Sequence, residues 1–167
     1  MRRTLLVVLA LAATAPALAA EPSGCDKFKW PIERERATLT SPDRATLASA
    51  ADLTGHPPIG WTLTLRPSAE AALPSPPERA PAASTFAGFV SVKSPWPAGV
   101  YTIRLSAGAW VDVVQDGKHL KPKAFSGATD CSGIRKTMKF DLAASPFVVQ
   151  ISGARENSIA LAILQSE

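Results

Sequence analysis

The pattern of apolar and polar residues changes near residue 60, from helical spacing to short alternating runs. Residues 61–65 alternate polar with apolar side chains, which predicts a strand. Runs of the same kind predict further strands at 86–92, 99–105, 109–115, 118–121, 134–142, 147–152 and 158–164. Short strands at close spacing, with turn residues between them, are typical of mainly β proteins. We therefore predict an antiparallel β-sandwich of the jelly-roll or galactose-binding-like kind.

The segment before the strands predicts a short N-terminal helical arm. Pro31 suits the first turn of a helix, and Ile32 and Leu39 follow at helical spacing before Pro42 ends it. Residues 44–51 predict a second helical turn and residues 55–58 a loop. Five prolines within residues 67–84 predict an extended surface loop. The chain thus divides into a signal segment over 1–19, an arm over 20–60 and a sandwich over 61–167, with arm and sandwich in one domain.

Two turns predict which face of the central strands is the core. Residues 106–108 fit a three-residue hairpin loop with glycine in its left-handed position, and Asp116-Gly117 fits a two-residue hairpin turn. The predicted partners are Leu105–Ala109, Ile103–Val111 and Tyr101–Val113 at the first turn, and Gln115–Lys118, Val114–His119, Val113–Leu120 and Asp112–Lys121 at the second. Both turns place apolar residues on the same face, so they agree on the core side.

The opposite face of these strands carries the candidate binding site. Thr102 and Val114 would lie on this face. So would five candidate site residues: Trp110, Asp112, Arg104, His119 and Lys121. This register sets Trp110 beside Arg104 as a cation–π pair, and Asp112 opposite Lys121 as an ion pair. An aromatic ring among charged groups can hold a carbohydrate, because the ring stacks on the sugar while polar groups bind its hydroxyls. A solvated face, or one covered by the proline-rich loop, would carry the same residues.

Residues 1–19 have the form of a secretory signal peptide. Arg2 and Arg3 precede an uncharged apolar run, and small residues precede the expected cleavage after Ala19 or Ala20. The run is about half the ~20 residues that span a bilayer, so we expect no transmembrane segment after cleavage. The expected location is the periplasm or the outside of the cell. The arginine pair leaves twin-arginine export open, and lipidation of Cys25 is a further alternative.

The charge balance argues against nucleic acid as a partner. The chain has 18 Lys and Arg against 14 Asp and Glu, and its net charge of +4 falls to +2 when Arg2 and Arg3 leave with the signal. The remaining cations are scattered and form no basic stripe. The two cysteines, Cys25 and Cys131, predict a disulfide in an oxidising compartment, and this bond would join the arm to the sandwich.

The sequence nominates no catalytic residue, no cofactor and no metal site. It lacks a Gly-x-Ser-x-Gly nucleophile motif, a phosphate-binding glycine loop and closely spaced histidines. His56 and His119, with one acidic residue, have the composition of a non-haem iron site. A metal-dependent oxidoreductase therefore stays open as the alternative function.

Three stretches of the chain resemble a group of small exported bacterial proteins whose function is not established. They are CDKFKW at 25–30, PPERAP at 76–81 and AWVDVVQDG at 109–117. Some similar chains are labelled homogentisate dioxygenase, a longer non-haem iron enzyme with a histidine-rich site. His56 and His119 do not match the pattern of that site, so the resemblance implies export and does not carry over the activity.

Together these observations predict a non-enzymatic module of the periplasm or cell envelope. Its expected partner is a small ligand, with a carbohydrate-like ligand as one case, or an envelope protein. A structural or assembly factor of the envelope is the remaining alternative.

Overall fold

The computed structural model describes residues 20–53, 59–93 and 96–166. The signal segment over 1–19 and the loop over 55–58, with His56, lie outside the described residues. The described residues contain one α-helix, α1 (Glu33–Thr40). No helix of the described residues has the length and apolarity needed to cross a membrane. Their strands are β1 (Ala45–Ala48), β2 (Ala51–Leu53), β3 (Ile59–Thr64), β4 (Arg66–Pro67), β5 (Phe86–Val92), β6 (Gly99–Leu105), β7 (Trp110–Gln115), β8 (Lys118–Leu120), β9 (Ala124–Gly127), β10 (Lys136–Leu142), β11 (Phe147–Ala154) and β12 (Ser158–Gln165).

The strands form two sheets packed face to face. The first sheet has the order β1-β3-β12-β6-β10-β9, and the second has the order β2-β5-β11-β7-β8, with β4 beside β5. The inner strands β3-β12-β6-β10 and β5-β11-β7-β8 are antiparallel and follow the strand order of a jelly roll. The last two strands in the sequence, β11 and β12, lie in the interior of their sheets. The predicted antiparallel β-sandwich is confirmed.

The apolar core lies between the two sheets. Side chains exposed by at most 1% come from both of them: Leu63, Ile103, Leu105 and Leu161 from the first sheet, and Val90, Val113, Val149 and Ile151 from the second. Six of the residues predicted to face the core belong to this cluster, and the seventh, Leu120, is partly buried against it; the six are Tyr101, Ile103, Leu105, Ala109, Val111 and Val113. The predicted core face is therefore correct.

A second, smaller cluster packs α1 against the outer face of the first sheet. Ile32 and Leu39 from the helical arm contact Ala162 and Leu164 of β12 in this cluster. Cys131 belongs to it as well, and its disulfide to Cys25 joins the arm to the segment between β9 and β10. The predicted helix and the predicted disulfide are both confirmed.

The hairpin predicted between β6 and β7 is wrong. β6 pairs with β10 and β12, whereas β7 pairs with β8 and β11, so the two strands lie in different sheets. Residues 106–108 cross between the sheets, since three extended residues span the roughly 10 Å that separates packed sheets. The core face was still predicted correctly. Every second side chain of a strand points into the core, whether the neighbouring strand lies beside it in one sheet or opposite it in the other sheet.

The hairpin predicted between β7 and β8 is confirmed. Asp116 and Gly117 have φ angles of 51° and 72°, and positive values at both central residues are those of a type I′ turn. The ladder pairs Val113 with Leu120, Val114 with His119 and Gln115 with Lys118. It ends before the predicted pair of Asp112 with Lys121.

The second helical turn predicted over residues 44–51 is also wrong, because this segment forms β1 and β2. β1 runs parallel to β3 at the edge of the first sheet, and β2 runs parallel to β5 at the edge of the second. Hydrogen-bonding partners on two open sheet edges override the high helix propensity of the alanines, because tertiary context commonly outweighs intrinsic propensity. The pattern also fails to predict β9, a short edge strand beside β10.

Candidate functional site

Four of the five candidate residues share one surface, and the fifth does not. Trp110 and Asp112 of β7 alternate with core residues and so lie on the outer face of the second sheet, as does His119 of β8. Lys121 follows β8 directly and reaches this face. Arg104 lies on β6, on the outer face of the first sheet, so the predicted Arg104–Trp110 pair is wrong for the same reason as the predicted hairpin.

Arg104 has a structural environment beneath α1. Its Nη2 atom lies 2.5 Å from Oε1 of Glu35, and the Arg104 residue is only 3% exposed. Burial lowers the pKa of Arg104 to about 10, and the Glu35 carboxylate opposes that shift. Arg104 is therefore a buried ion-pair residue on the side of the sandwich opposite to the other four.

The proline-rich loop (residues 71–84) covers the outer face of the second sheet. The Gln150 side chain of β11 accepts a hydrogen bond from the Ser75 amide at 2.9 Å and donates one to the Ser75 carbonyl at 3.1 Å. Farther along, the Glu78 amide donates to Asp112 Oδ2 at 3.3 Å. The loop is thus tied to the sheet at two points, and it brings its own side chains to the candidate site.

We expect the substitution Gln150→Leu to release this loop. Gln150 is 1% exposed, and both of its hydrogen bonds to Ser75 would be lost, leaving the loop backbone without these partners. The expected destabilisation is about 1–3 kcal/mol. Limited trypsin digestion should then cut after Arg79 several times faster than in the parent protein.

Gln115→Leu is the matched control. Gln115 is also a buried glutamine of the second sheet, but its side-chain amide forms hydrogen bonds with the backbone of Ala143 and Ser145. This control should lose a similar amount of stability without faster cleavage after Arg79. Equal cleavage rates in the two variants would contradict the role assigned to Gln150.

Trp110 lines a cleft at the end of the sandwich where β7 begins. The cleft has a volume of about 890 Å³, is open to solvent, and is bordered by the proline-rich loop, the crossover at residues 107–108 and the turn between β11 and β12. Phe125 of β9 adds a second ring and is 48% exposed. We call this space, lined by Trp110 and Phe125, the Trp110 cleft.

Cations dominate the lining of the Trp110 cleft. Among the described residues it is lined by Arg79, Arg135, Lys136 and Arg155, against the carboxylates of Glu21 and Glu156. The Arg79 guanidinium carbon and the Lys136 Nζ each lie 5.9 Å from the centroid of the Trp110 ring. These cations take the place that the sequence predicted for Arg104.

Lys136 is a partly buried cation of the Trp110 cleft, and its pKa lies below the ordinary value. Burial lowers the pKa of Lys136, and the positive charges of Arg135 and Arg79 lower it further, while Glu21 opposes the shift. Its Nζ donates a hydrogen bond to the Ala109 carbonyl at 2.5 Å and lies 5.7 Å from the Phe125 ring centroid. A bound anion would compensate this crowding of positive charge.

Ser152 offers an unused hydrogen-bonding group to the Trp110 cleft. It lies opposite Trp110 in the ladder between β7 and β11, and it lines the cleft. Ser152 is 1% exposed, and within the described part of the chain its buried hydroxyl has no hydrogen-bond partner. Buried hydroxyls are normally satisfied by protein, water or a ligand, so the Ser152 hydroxyl keeps free hydrogen-bonding capacity beside the cleft.

A second group of polar side chains lies beside the cleft. Ligand atoms of Glu78, Asp112 and His119 lie within 4.8 Å of one another. Lys121 Nζ contacts Glu78 Oε1 at 2.5 Å, so the ion pair predicted between Lys121 and Asp112 is replaced by one to the loop. The hydrogen bond from Lys121 lowers the pKa of Glu78. His56, the partner suggested for His119, lies outside the described residues.

Sequence reasoning missed the residues that the loop and the second strand layer bring to this surface. Arg79 and Glu78 lie in a loop with no periodicity, and no local pattern shows where such a loop docks. Lys136 and Ser152 lie on strands that were predicted, but their closeness to Trp110 depends on the sheet order. The proline-rich loop was the available signal, and covering of the charged face by this loop was one of the alternatives that the sequence left open.

Trp110 and Asp112 are joined directly in this site, because Trp110 Nε1 donates a hydrogen bond to Asp112 Oδ1 at 2.8 Å. The two residues therefore connect the Trp110 cleft with the neighbouring polar group.

No protein-family model, curated protein or solved structure matches the chain, so its function is inferred from this site alone.

Proposed function

We propose that this protein is a non-enzymatic binding module of the cell envelope that holds an anionic ligand, an acidic carbohydrate, in the Trp110 cleft. The observation that carries the proposal is the combination, around one concave space, of four cations, two aromatic rings and a buried hydroxyl that has no hydrogen-bond partner among the described residues. An acidic sugar would present a carboxylate to the cations, apolar C–H groups to the rings and hydroxyls to Ser152.

The charge around Trp110 favours an acidic ligand over a neutral sugar. Arg79 and Lys136 flank the ring, so a neutral sugar would have to compete with two cations for its surface. A carboxylate would instead be attracted by these cations, and charge-assisted hydrogen bonds are about twice as strong as neutral ones. The envelope location is supported by the disulfide, which persists in oxidising compartments.

The proposal is tested with three probes that separate charge from sugar shape. Chemical-shift titrations would use trigalacturonate, its methyl ester, which keeps the rings but loses the charge, and inorganic phosphate. We expect trigalacturonate to bind with shifts centred on the amides around Trp110, and the methyl ester to bind at least tenfold more weakly. Phosphate binding as tight as that of trigalacturonate would reject a sugar ligand, and no shifts with any probe would reject the anion site.

Arg79→Ala is expected to weaken trigalacturonate binding by tenfold or more, since a hydrogen bond to a charged group contributes about 1.5–3 kcal/mol. Trp110→Ala is expected to weaken it several-fold, since an aromatic contact contributes about 0.5–1.5 kcal/mol. Both variants should remain folded, because Arg79 is exposed and Trp110 is only partly buried. Lys118→Ala is the matched control: it removes an exposed cation outside the cleft lining and should leave the affinity unchanged. An equal loss in all three variants would show a nonspecific charge effect.

A further inference from the structure

We propose that Glu78, Asp112 and His119 form a site for a divalent transition metal of the zinc type, which fastens the proline-rich loop to β7 and β8. The site offers one imidazole nitrogen and two carboxylates, with ligand atoms within 4.8 Å of one another. It is separate from the anion-binding role of the Trp110 cleft, and neither proposal depends on the other.

Asp112 is a buried carboxylate that lacks a full cationic partner. Its side chain is 1% exposed, and its oxygens accept hydrogen bonds from Trp110 Nε1 and from the Glu78 amide. Among the described residues no lysine or arginine forms an ion pair with it. His119 Nδ1 lies 3.8 Å from Asp112 Oδ1, too far for a hydrogen bond. Because an unpaired buried charge is unfavourable, a bound cation would stabilise this arrangement.

The imidazole of His119 supplies an observation independent of the carboxylates. Its Nδ1 atom is buried and, among the described residues, has no hydrogen-bond partner, although the side chain as a whole is 25% exposed. This nitrogen faces Asp112 at the distance given above. A buried nitrogen normally has a partner, and a metal ion can bind to the lone pair that a neutral imidazole carries there.

The hydrogen bonds of Asp112 resemble the outer contacts of known metal ligands. Carboxylates that bind metals are themselves held by neighbouring donors, which fix their orientation. The indole of Trp110 donates a hydrogen bond to Oδ1 of Asp112, and the backbone amide of Glu78 in the loop donates one to Oδ2. Asp112 is thus already fixed in the direction of His119.

Glu78 is the adjustable member of the site. Tetrahedral zinc with bonds of about 2.0–2.2 Å puts two ligand atoms about 3.3–3.6 Å apart, so closure from separations of up to 4.8 Å needs a shift of up to about 1.5 Å. Glu78 can supply it, because its side chain is 30% exposed and is now paired with Lys121, which is 79% exposed. Exposed ion pairs of this kind contribute little to stability, so the metal has only a weak competitor.

The donor set favours a late transition metal such as zinc over calcium or magnesium. Mixed nitrogen and oxygen ligands suit zinc, whose affinity for such sites exceeds those of manganese and iron. Calcium and magnesium prefer oxygen ligands in larger number, so they should bind this site weakly. The ion would connect three separate segments: the loop through Glu78, β7 through Asp112 and β8 through His119.

The test is calorimetric titration of the metal-free, disulfide-intact protein with zinc chloride. We expect one equivalent to bind, with at least tenfold weaker affinity in Glu78→Gln and His119→Gln. Glu70→Gln, which removes another carboxylate just ahead of the proline-rich loop, is the matched control and should bind as the parent does. Lys121→Ala should bind zinc several times more tightly, because it frees Glu78, and structural damage cannot explain such a gain.

Thermal melts in the presence of a chelator establish that each variant is folded. If His119→Gln does not fold, the exposed Glu78→Gln and Lys121→Ala variants decide the question. The proposal is overturned if zinc does not bind at a 1:1 ratio, if the affinity is the same in Glu78→Gln as in Glu70→Gln, or if calcium binds as tightly as zinc.

Discussion

Removal of the Cys25–Cys131 disulfide is expected to lower the free energy of unfolding by about 4–5 kcal/mol. The bond joins residues 106 positions apart, and closing so long a loop removes much of the conformational entropy of the unfolded chain. Cys131 also packs in the cluster beneath α1 with Ile32 and Leu39, so its loss should loosen the helix. The melting temperature of Cys25→Ser/Cys131→Ser should fall by roughly 10–20 °C.

Urea denaturation of the oxidised parent and of the double variant measures this effect. The double variant should have the same stability with and without reductant, which separates loss of the bond from any effect of the reagent. The reduced parent should match the double variant. A difference below about 1 kcal/mol between oxidised parent and double variant would mean that loop closure does not stabilise this fold as the entropy argument requires.

The substitution Glu35→Gln is expected to destabilise the protein by about 3–5 kcal/mol. It leaves the Arg104 guanidinium charged beneath α1 without its carboxylate, and removing one partner of a buried ion pair is strongly unfavourable. Among the described residues, Nε and Nη1 of Arg104 already lack hydrogen-bond partners, so no other group compensates the charge. Urea denaturation monitored by circular dichroism gives the loss directly.

The double variant Glu35→Leu/Arg104→Met is the informative comparison. Replacing both members of a buried ion pair by apolar residues of similar size is often neutral or stabilising by about 1–4 kcal/mol. We expect the double variant to be more stable than Glu35→Gln alone. A double variant less stable than the single one would show that Arg104 contributes through contacts other than the ion pair.

The sequence predicted the sandwich because each strand carries its own local signal. The strands predicted over 86–92 and 99–105 coincide with β5 and β6, since alternation of side chains is set by the strand itself. The Asp116-Gly117 turn could be placed because two positive φ angles favour those residues. Which strands lie side by side depends on distant contacts, and this is why the pairing of β6 with β7 was predicted wrongly.

The candidate site was predicted in part for the same reason. Trp110, Asp112 and His119 lie on β7 and β8, which form the hairpin that the turn chemistry specified, so their common surface followed from local rules. Arg104 was assigned to this surface only through the incorrect pairing. Arg79 and Ser152 reach it through the docking of the proline-rich loop and through β11, and no local pattern encodes either placement.

The position of β11 and β12 has a consequence for how the protein is made. Both strands follow all others in the sequence, yet β11 separates β5 from β7 and β12 separates β3 from β6. Neither sheet can be completed until the chain has been made through β12, because β11 and β12 are the inner neighbours of strands made earlier. The core between the two sheets therefore closes only near the end of synthesis, so the strands made first wait for their partners with their apolar faces uncovered.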